Sequence, residues 1–182
     1  MRNDMSDTSS WVEETLGRLE EPLTLYAEQI LRDVERARDV VQDAFLQLCR
    51  QRPEDLAGRE REWLFRVCRN RAFDVLRKEK RMETSATTRA VPDRMTAPSP
   101  TDVLEEREGV TSMLDAVELL PKEQREVLRL KFQQGMSYRE SAHVTELSVS
   151  NVGFQIHSAM KALRSMLGAG QTGAASTPGG VA

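Results

Sequence analysis

Between Glu60 and Arg81 the chain reads EREWLFRVCRNRAFDVLRKEKR. Arg66, Arg69, Arg71, Arg77 and Lys78 are interleaved there with Trp63, Asn70 and Phe73. Cations can follow the phosphates of a strand while rings stack on unpaired bases, at about 1–3 kcal/mol per stacked base. An amide can bond the edge of a base drawn out of its stack. At helical periodicity Leu64, Phe65, Cys68, Ala72, Val75 and Leu76 share an inward sector. Trp63, Arg66, Asn70, Phe73 and Arg77 then lie outward or on its flank. This is chemistry for single-stranded nucleic acid. The same spacing also suits a helix with two packed aromatics and solvated arginines, and the residues alone leave both readings open.

A second constellation precedes it. Asp39, Gln42, Asp43 and Leu46 recur at i, i+3, i+4 and i+7 and so form one helix face. Two carboxylates, an amide and an exposed leucine suit docking of a basic partner helix. An ordinary solvated face would look similar.

The third is SVSNVGFQIH, Ser148 to His157, which contains no Lys, Arg, Asp or Glu. Ser150, Asn151, Phe154, His157, Ser158 and Lys161 face outward there, with Gln155 on the flank, opposite Val149, Val152, Ile156, Ala159, Met160 and Leu163. Asn and Gln can bond adenine bidentately, and Phe can touch a thymine methyl. Phosphate contacts, which supply most DNA affinity, fall to Arg139, Lys161 and Arg164. Base-reading groups are present and phosphate grips are few.

Other chemistry is missing. There is no phosphate-binding glycine loop, no nucleophile–base arrangement and no ligand spacing among His143, His157, Cys49 and Cys68. No catalytic role, metal or cofactor is expected. The two cysteines read as reduced thiols on helix faces.

The elements that must position these groups are helices. The first spans about Trp11 to Arg32, with Pro22 expected to break or restart it. The second spans Val34 to Arg50, with Ala37, Val40, Val41, Ala44, Phe45 and Leu48 as its apolar stripe. The loop QRPEDLAG follows, then a helix from Glu60 to Arg81. Residues 82–100, rich in Ser, Thr and Pro, read as a linker. Beyond it, Asp102 and Glu105 form a capping box for a helix to Leu119. Pro121 opens the next, which Gly135 closes. Ser137-x-x-Glu140 caps a short helix to Thr145, and Ser148 caps the last, to about Leu167. Residues 168–182 read as a disordered tail after a glycine stop.

No strand-like alternation occurs in the sequence. The fold class expected is all-α, with two small helical domains joined by a flexible linker. The division is an N-terminal extension 1–18, a first body 19–81, the linker, a second body 101–167 and the tail.

The 182 residues carry a net charge of −3. Residues 1–58 hold 7 basic and 13 acidic side chains, and residues 60–81 hold 8 and 4. Residues 101–120 hold 1 and 6, and residues 121–167 hold 7 and 4. Two basic segments in an acidic chain fit a protein with both an anionic and a cationic partner. No apolar run is long enough to span a membrane, and no secretory leader is evident, so a cytoplasmic location is expected.

RDVVQDAFLQL followed by REWLFRVCRNRAFDVLRKEKR resembles region 2 of bacterial sigma factors. LPKEQREVLRLKFQQGMSYRESAHVTELSVSNVGFQIHSAMKALR resembles their region 4. The layout is similar to the extracytoplasmic-function (ECF) type of the sigma-70 family. The resemblance implies a subunit that binds core RNA polymerase, through its β′ and β subunits, and recognises the −10 and −35 elements of promoter DNA. It implies that Asp39, Gln42, Asp43, Phe45 and Leu46 dock on a coiled coil of β′. It implies that Arg52 to Arg59 form a −10 specificity loop and that Asn70 sits beside the pocket for a flipped base. Arg66, Arg69, Arg71, Phe73, Arg77 and Lys78 would hold the −10 strand. Arg139, Ser148, Ser150, Asn151, Phe154, Gln155, His157 and Lys161 would meet the −35 duplex. An anti-sigma factor is a further partner the resemblance implies. Relatives commonly carry basic residues where Gly153, Gln155 and Ser158 stand, and a Leu-Gly turn where Thr145-Glu146 stands.

Two other readings stay in view. A stand-alone helix-turn-helix regulator accounts for residues 121–167 but gives the two earlier faces no task. A polymerase-binding adaptor that no longer reads −35 DNA accounts for the missing charges.

Overall fold

The computed structural model describes the backbone of residues 3–86 and 113–172, with side-chain burial assigned over 10–82 and 113–168. Among the described residues there are helices and turns and no strand. They fall into two compact units, one holding the helices up to Ala86 with Ala142–Glu146, the other the remaining described residues.

In the first unit α1 (Asn3–Leu31), α2 (Val34–Leu48) and α4 (Glu60–Ala86) pack pairwise. Leu19, Leu23, Tyr26, Ala27 and Leu31 of α1 meet the buried stripe of α2, which is the six residues expected. Leu64, Phe65, Cys68 and Ala72 close the core from α4, with the Tyr26 and Phe65 rings 5.2 Å apart and tilted by 52°. Val75 and Leu76, also expected inside, are half-buried.

Pro22 does not break α1, contrary to expectation: the helix is continuous from Asn3 to Leu31. A proline inside a helix loses one hydrogen bond and crowds the preceding turn, at a cost of about 3 kcal/mol. Burial of Leu19 and Leu23 on either side offsets that cost. At the α1–α2 corner Arg32 takes φ 57°, and the Asp33 carboxylate then accepts from the Glu35 and Arg36 amides at 3.0 and 3.1 Å. That cap fixes where α2 begins.

QRPEDLAG holds one short helix, α3 (Pro53–Leu56), where an open loop was expected. Pro53 stands at its first position, and Ala57 and Gly58 leave it in left-handed backbone. Helix α4 starts at Glu60 as expected but runs into the segment read as linker. The rest of that segment, with the Asp102–Glu105 box, lies outside the described residues.

The second unit contains α5 (Met113–Glu118), α6 (Lys122–Leu128), the start of α7 (Tyr138–Thr145) and α8 (Val149–Thr172). A π-helical turn, Arg129–Gln133, prolongs α6. There the Gln134 amide reaches back to the Arg129 carbonyl at 3.0 Å, and Gly135 ends the run at φ 64°. Both serine caps form. The Ser137 amide donates to Glu140 Oε2 at 2.6 Å while the Glu140 amide donates to Ser137 Oγ at 3.2 Å. The Asn151 amide donates to Ser148 Oγ at 3.1 Å.

Val152, Ile156, Ala159, Leu163 and Met166 bury the inner face of α8, and α5 and α6 pack against this helix. Val149, expected on that face, is exposed in the first turn. Gly168 does not stop α8, which continues to Thr172. Residues 173–182, read as a tail, lie outside the described residues.

Candidate nucleic-acid interface and docking face

Helix α4 separates a packed side from a polar one. Arg66, Asn70, Phe73 and Arg77 fall on one stripe opposite the buried residues. Phe73 is half-buried, and the Arg69 guanidinium lies 4.8 Å from its ring centre. Such a contact holds both groups in place while each keeps a face toward solvent. Asn70 and Arg77 are exposed, Arg66 and Trp63 half-buried. Arg77 also bonds Asp74 at 2.8 Å. The stripe therefore presents cations, a half-buried ring and an amide together.

Arg71 is placed differently. It lies roughly 140° around the helix from Arg66 and pairs with Asp43 of α2. Lys78 shares that flank and is exposed. A second α2–α4 ion pair joins Arg36 to Glu79, and Arg18 of α1 reaches Glu60 at 3.3 Å. These pairs are half exposed, so each contributes little to stability. Their effect is orientational. Sequence reasoning missed the Asp43–Arg71 contact because nothing in a helical repeat reports which flank of one helix meets another.

On α2, Asp39 and Gln42 are exposed, Asp43 is half-exposed and Leu46 is 55% exposed. Phe45, grouped with them by resemblance, is 6% exposed and belongs mainly to the core. It forms part of the floor of a groove of about 460 Å³ between α1 and α2. Val12 and Leu16 of the N-terminal extension line the same groove and had no part in the expected site.

On α8, Ser150, His157 and Lys161 are exposed and Phe154 is 65% exposed. Asn151 and Gln155 sit on the flank toward α6. Gln155 Nε2 makes long contacts with Asn151 Oδ1 at 3.5 Å and Glu123 Oε2 at 3.4 Å. The Tyr138 ring covers Gly153 on the other flank, and Lys131 Nζ lies 5.4 Å from the centre of that ring. Arg139 and Arg164 are exposed. Arg125 and Arg129 point elsewhere, both onto the Glu118 carboxylate, the latter at 2.6 Å. Part of the unit's positive charge is thus taken up within the fold. Glu146 turns the chain into α8 at φ 60°, the left-handed backbone for which glycine is the usual residue.

Among the described residues no helix is long and apolar enough to cross a membrane, and no cluster of His, Cys, Asp and Glu could hold a metal ion.

Residues 17–82 match the model of sigma-70 region 2, and residues 111–163 match that of sigma-70 region 4. The chain is 30% identical over 144 residues to the ECF RNA polymerase sigma factor SigL of Mycobacterium tuberculosis, covering 76% of this chain and 78% of SigL. It is 26% identical over 176 residues to the probable RNA polymerase sigma factor RfaY of Xanthomonas campestris, covering 92% of this chain. The chain spans 44% of the length of RfaY. In fold it is similar to the sigma factor RpoE of Bartonella quintana, solved in complex with the anti-sigma factor NepR. That likeness has a TM-score of 0.62 at 19% identity and covers 86% of this chain and 96% of RpoE. The chain belongs to the sigma-70 family of RNA polymerase sigma factors, and within it to the ECF type. Promoter-specific initiation by RNA polymerase is the function of that family.

Proposed function

We propose that α2 docks on core RNA polymerase through Asp39, Gln42, Asp43 and Leu46, while α4 captures the −10 strand and α8 reads the −35 duplex. One observation carries the reading: the α4 stripe, where Phe73 is held by Arg69 between the exposed Asn70 and Arg77. A ring, an amide and cations on a rigid helix are what capture of an unpaired base requires. Trp63 and Arg66 continue this surface. Arg71 is held by Asp43, so its proposed part is to orient that carboxylate on the docking face.

On α8 the proposed contacts are Ser148, Ser150, Asn151, Phe154, Gln155, His157 and Lys161, with Arg139 from α7. Phe154 supports a preference for thymine methyl groups. The polymerase performs the chemistry, and this chain supplies no catalytic group. Its place of work is the cytoplasm, with the polymerase. An anti-sigma factor is a proposed regulator, since the similar fold of RpoE was solved with one.

Run-off transcription with purified core polymerase on a library of genomic fragments tests the reading. Sequencing the transcript starts should reveal new starts that share an upstream −10/−35 pair. Core binding with no new starts would favour the adaptor. Operator binding without polymerase would favour the stand-alone regulator.

A further inference from the structure

The match to region 2 begins at residue 17, yet α1 begins at Asn3. The turns ahead of the match are packed: Thr15 is fully buried, and Trp11 and Val12 are half-buried. Val12 and Leu16 form one wall of the groove between α1 and α2, and Gln42, Phe45, Leu46 and Cys49 form the other. Two of those four, Gln42 and Leu46, belong to the proposed docking face. Leu16 and Leu46 are both exposed at the groove, although large apolar side chains gain by being covered.

The surrounding charge is acidic. Glu20 and Asp39 are exposed, and Arg38, the cation in the lining, bonds Glu35 at 2.7 Å. Residues 1–58 as a whole carry 7 basic and 13 acidic side chains. The occupant that fits is a basic amphipathic helix, apolar on the side that enters and cationic along its edges.

We propose that the N-terminal extension is one half of the polymerase docking surface. Val12 and Leu16 complete a groove that receives an apolar side chain of a basic helical segment of core polymerase. The proposal rests on the docking reading of α2. It adds that the partner reaches past α2 onto α1.

Cys49 gives a direct probe, because its exposed side chain lines the groove. Cys68 stays silent in the same experiment: burial pushes its thiol up to about 12, so it remains protonated at working pH. The experiment compares maleimide alkylation of Cys49 in the full chain alone and in its complex with core polymerase, with complex formation followed by co-elution. Docking in the groove should slow alkylation about tenfold or more, since a covered thiol reacts only when the interface opens. Leu16→Glu, which puts a carboxylate in the groove, should weaken core binding about tenfold or more. Leu16→Ser, with no added charge, should weaken it less. Circular dichroism and the thermal midpoint report whether each variant folds.

A complex in which Cys49 reacts as fast as in the free chain overturns the proposal and leaves the α2 docking face standing. Protection of Cys49 with unchanged affinity of both Leu16 variants also overturns it, because the extension would then contribute nothing. Failure to form any complex removes the docking reading and the proposal together. Protection that grows with the concentration of the free chain would make a second copy the occupant, which also overturns it.

Discussion

Helices α4 and α8 are both amphipathic and both present an aromatic among polar groups, but they carry charge in opposite ways. Helix α4 holds eight basic side chains between Glu60 and Arg81. Over Val149–Leu167 α8 has only Lys161 and Arg164, and its neighbours Arg125 and Arg129 are bound to Glu118. Cation contacts supply affinity, and base-edge contacts supply choice. On the proposed reading, the first unit holds nucleic acid and the second selects it. Once polymerase and the −10 strand fix one end of the chain, a weak second contact becomes effectively intramolecular. A neutral α8 would suffice for the proposed −35 contact under those conditions.

The largest test of this contrast is on α4. Asn70→Ala and Phe73→Ala should each reduce opening of the −10 segment by about tenfold or more, given about 1–3 kcal/mol per stacked base. Core binding should stay intact, since neither side chain lies on the docking face. Permanganate reactivity of −10 thymines measures opening, and a promoter melted in advance should restore transcription. Equal loss of core binding and opening would place these residues in the fold instead.

The helices and their inner faces were largely legible in the sequence, because core burial imposes a periodicity that each helix shows by itself. The α2 stripe and both serine caps form as expected, and α4 begins where expected. Several errors fall where one helix depends on another. Pro22 was expected to break α1, but burial on either side of it holds the helix together. Helix α8 runs past Gly168 to Thr172, and nothing in the structure explains it. The Asp43–Arg71 pair, the Tyr138 ring over Gly153 and the Val12–Leu16 wall all join residues that no local repeat connects. The site residues were legible as types of chemistry. Which cations stay exposed and which brace a neighbouring helix depends on packing.

A smaller effect separates the roles within α8. Lys161→Ala should lower the slope of log affinity against log salt for duplex DNA by about 1, uniformly across sequences. Phe154→Ala should leave that slope unchanged and relax the preference at one base position, at about 1–3 kcal/mol. Binding titrations over a salt series, on several −35 variants, separate the two. If Phe154→Ala changed the slope and not the preference, α8 would be a backbone grip and the contrast with α4 would break.

The smallest expected effect concerns the glycine at the centre of the neutral helix. Gly153 lies inside α8, where glycine is less favourable than alanine by roughly 0.5–1 kcal/mol. A Cβ there would lie 3.6 Å from Tyr138 Cε2, which is ordinary van der Waals contact. Gly153→Ala should therefore stabilise the second unit by up to about 1 kcal/mol, read as a rise in its thermal midpoint of at most about 4–8 °C. Duplex affinity should barely change, because no charge is added. Gly153→Lys should keep the fold and raise duplex affinity at low salt, increasing the salt slope by about 1. That result would show that the neutral surface has room for a phosphate grip it does not use. A fall in the midpoint with alanine would show instead that the Tyr138 ring needs the bare backbone beneath it. The neutrality at this position would then follow from packing, and only the remaining polar positions could be ascribed to how the helix selects DNA.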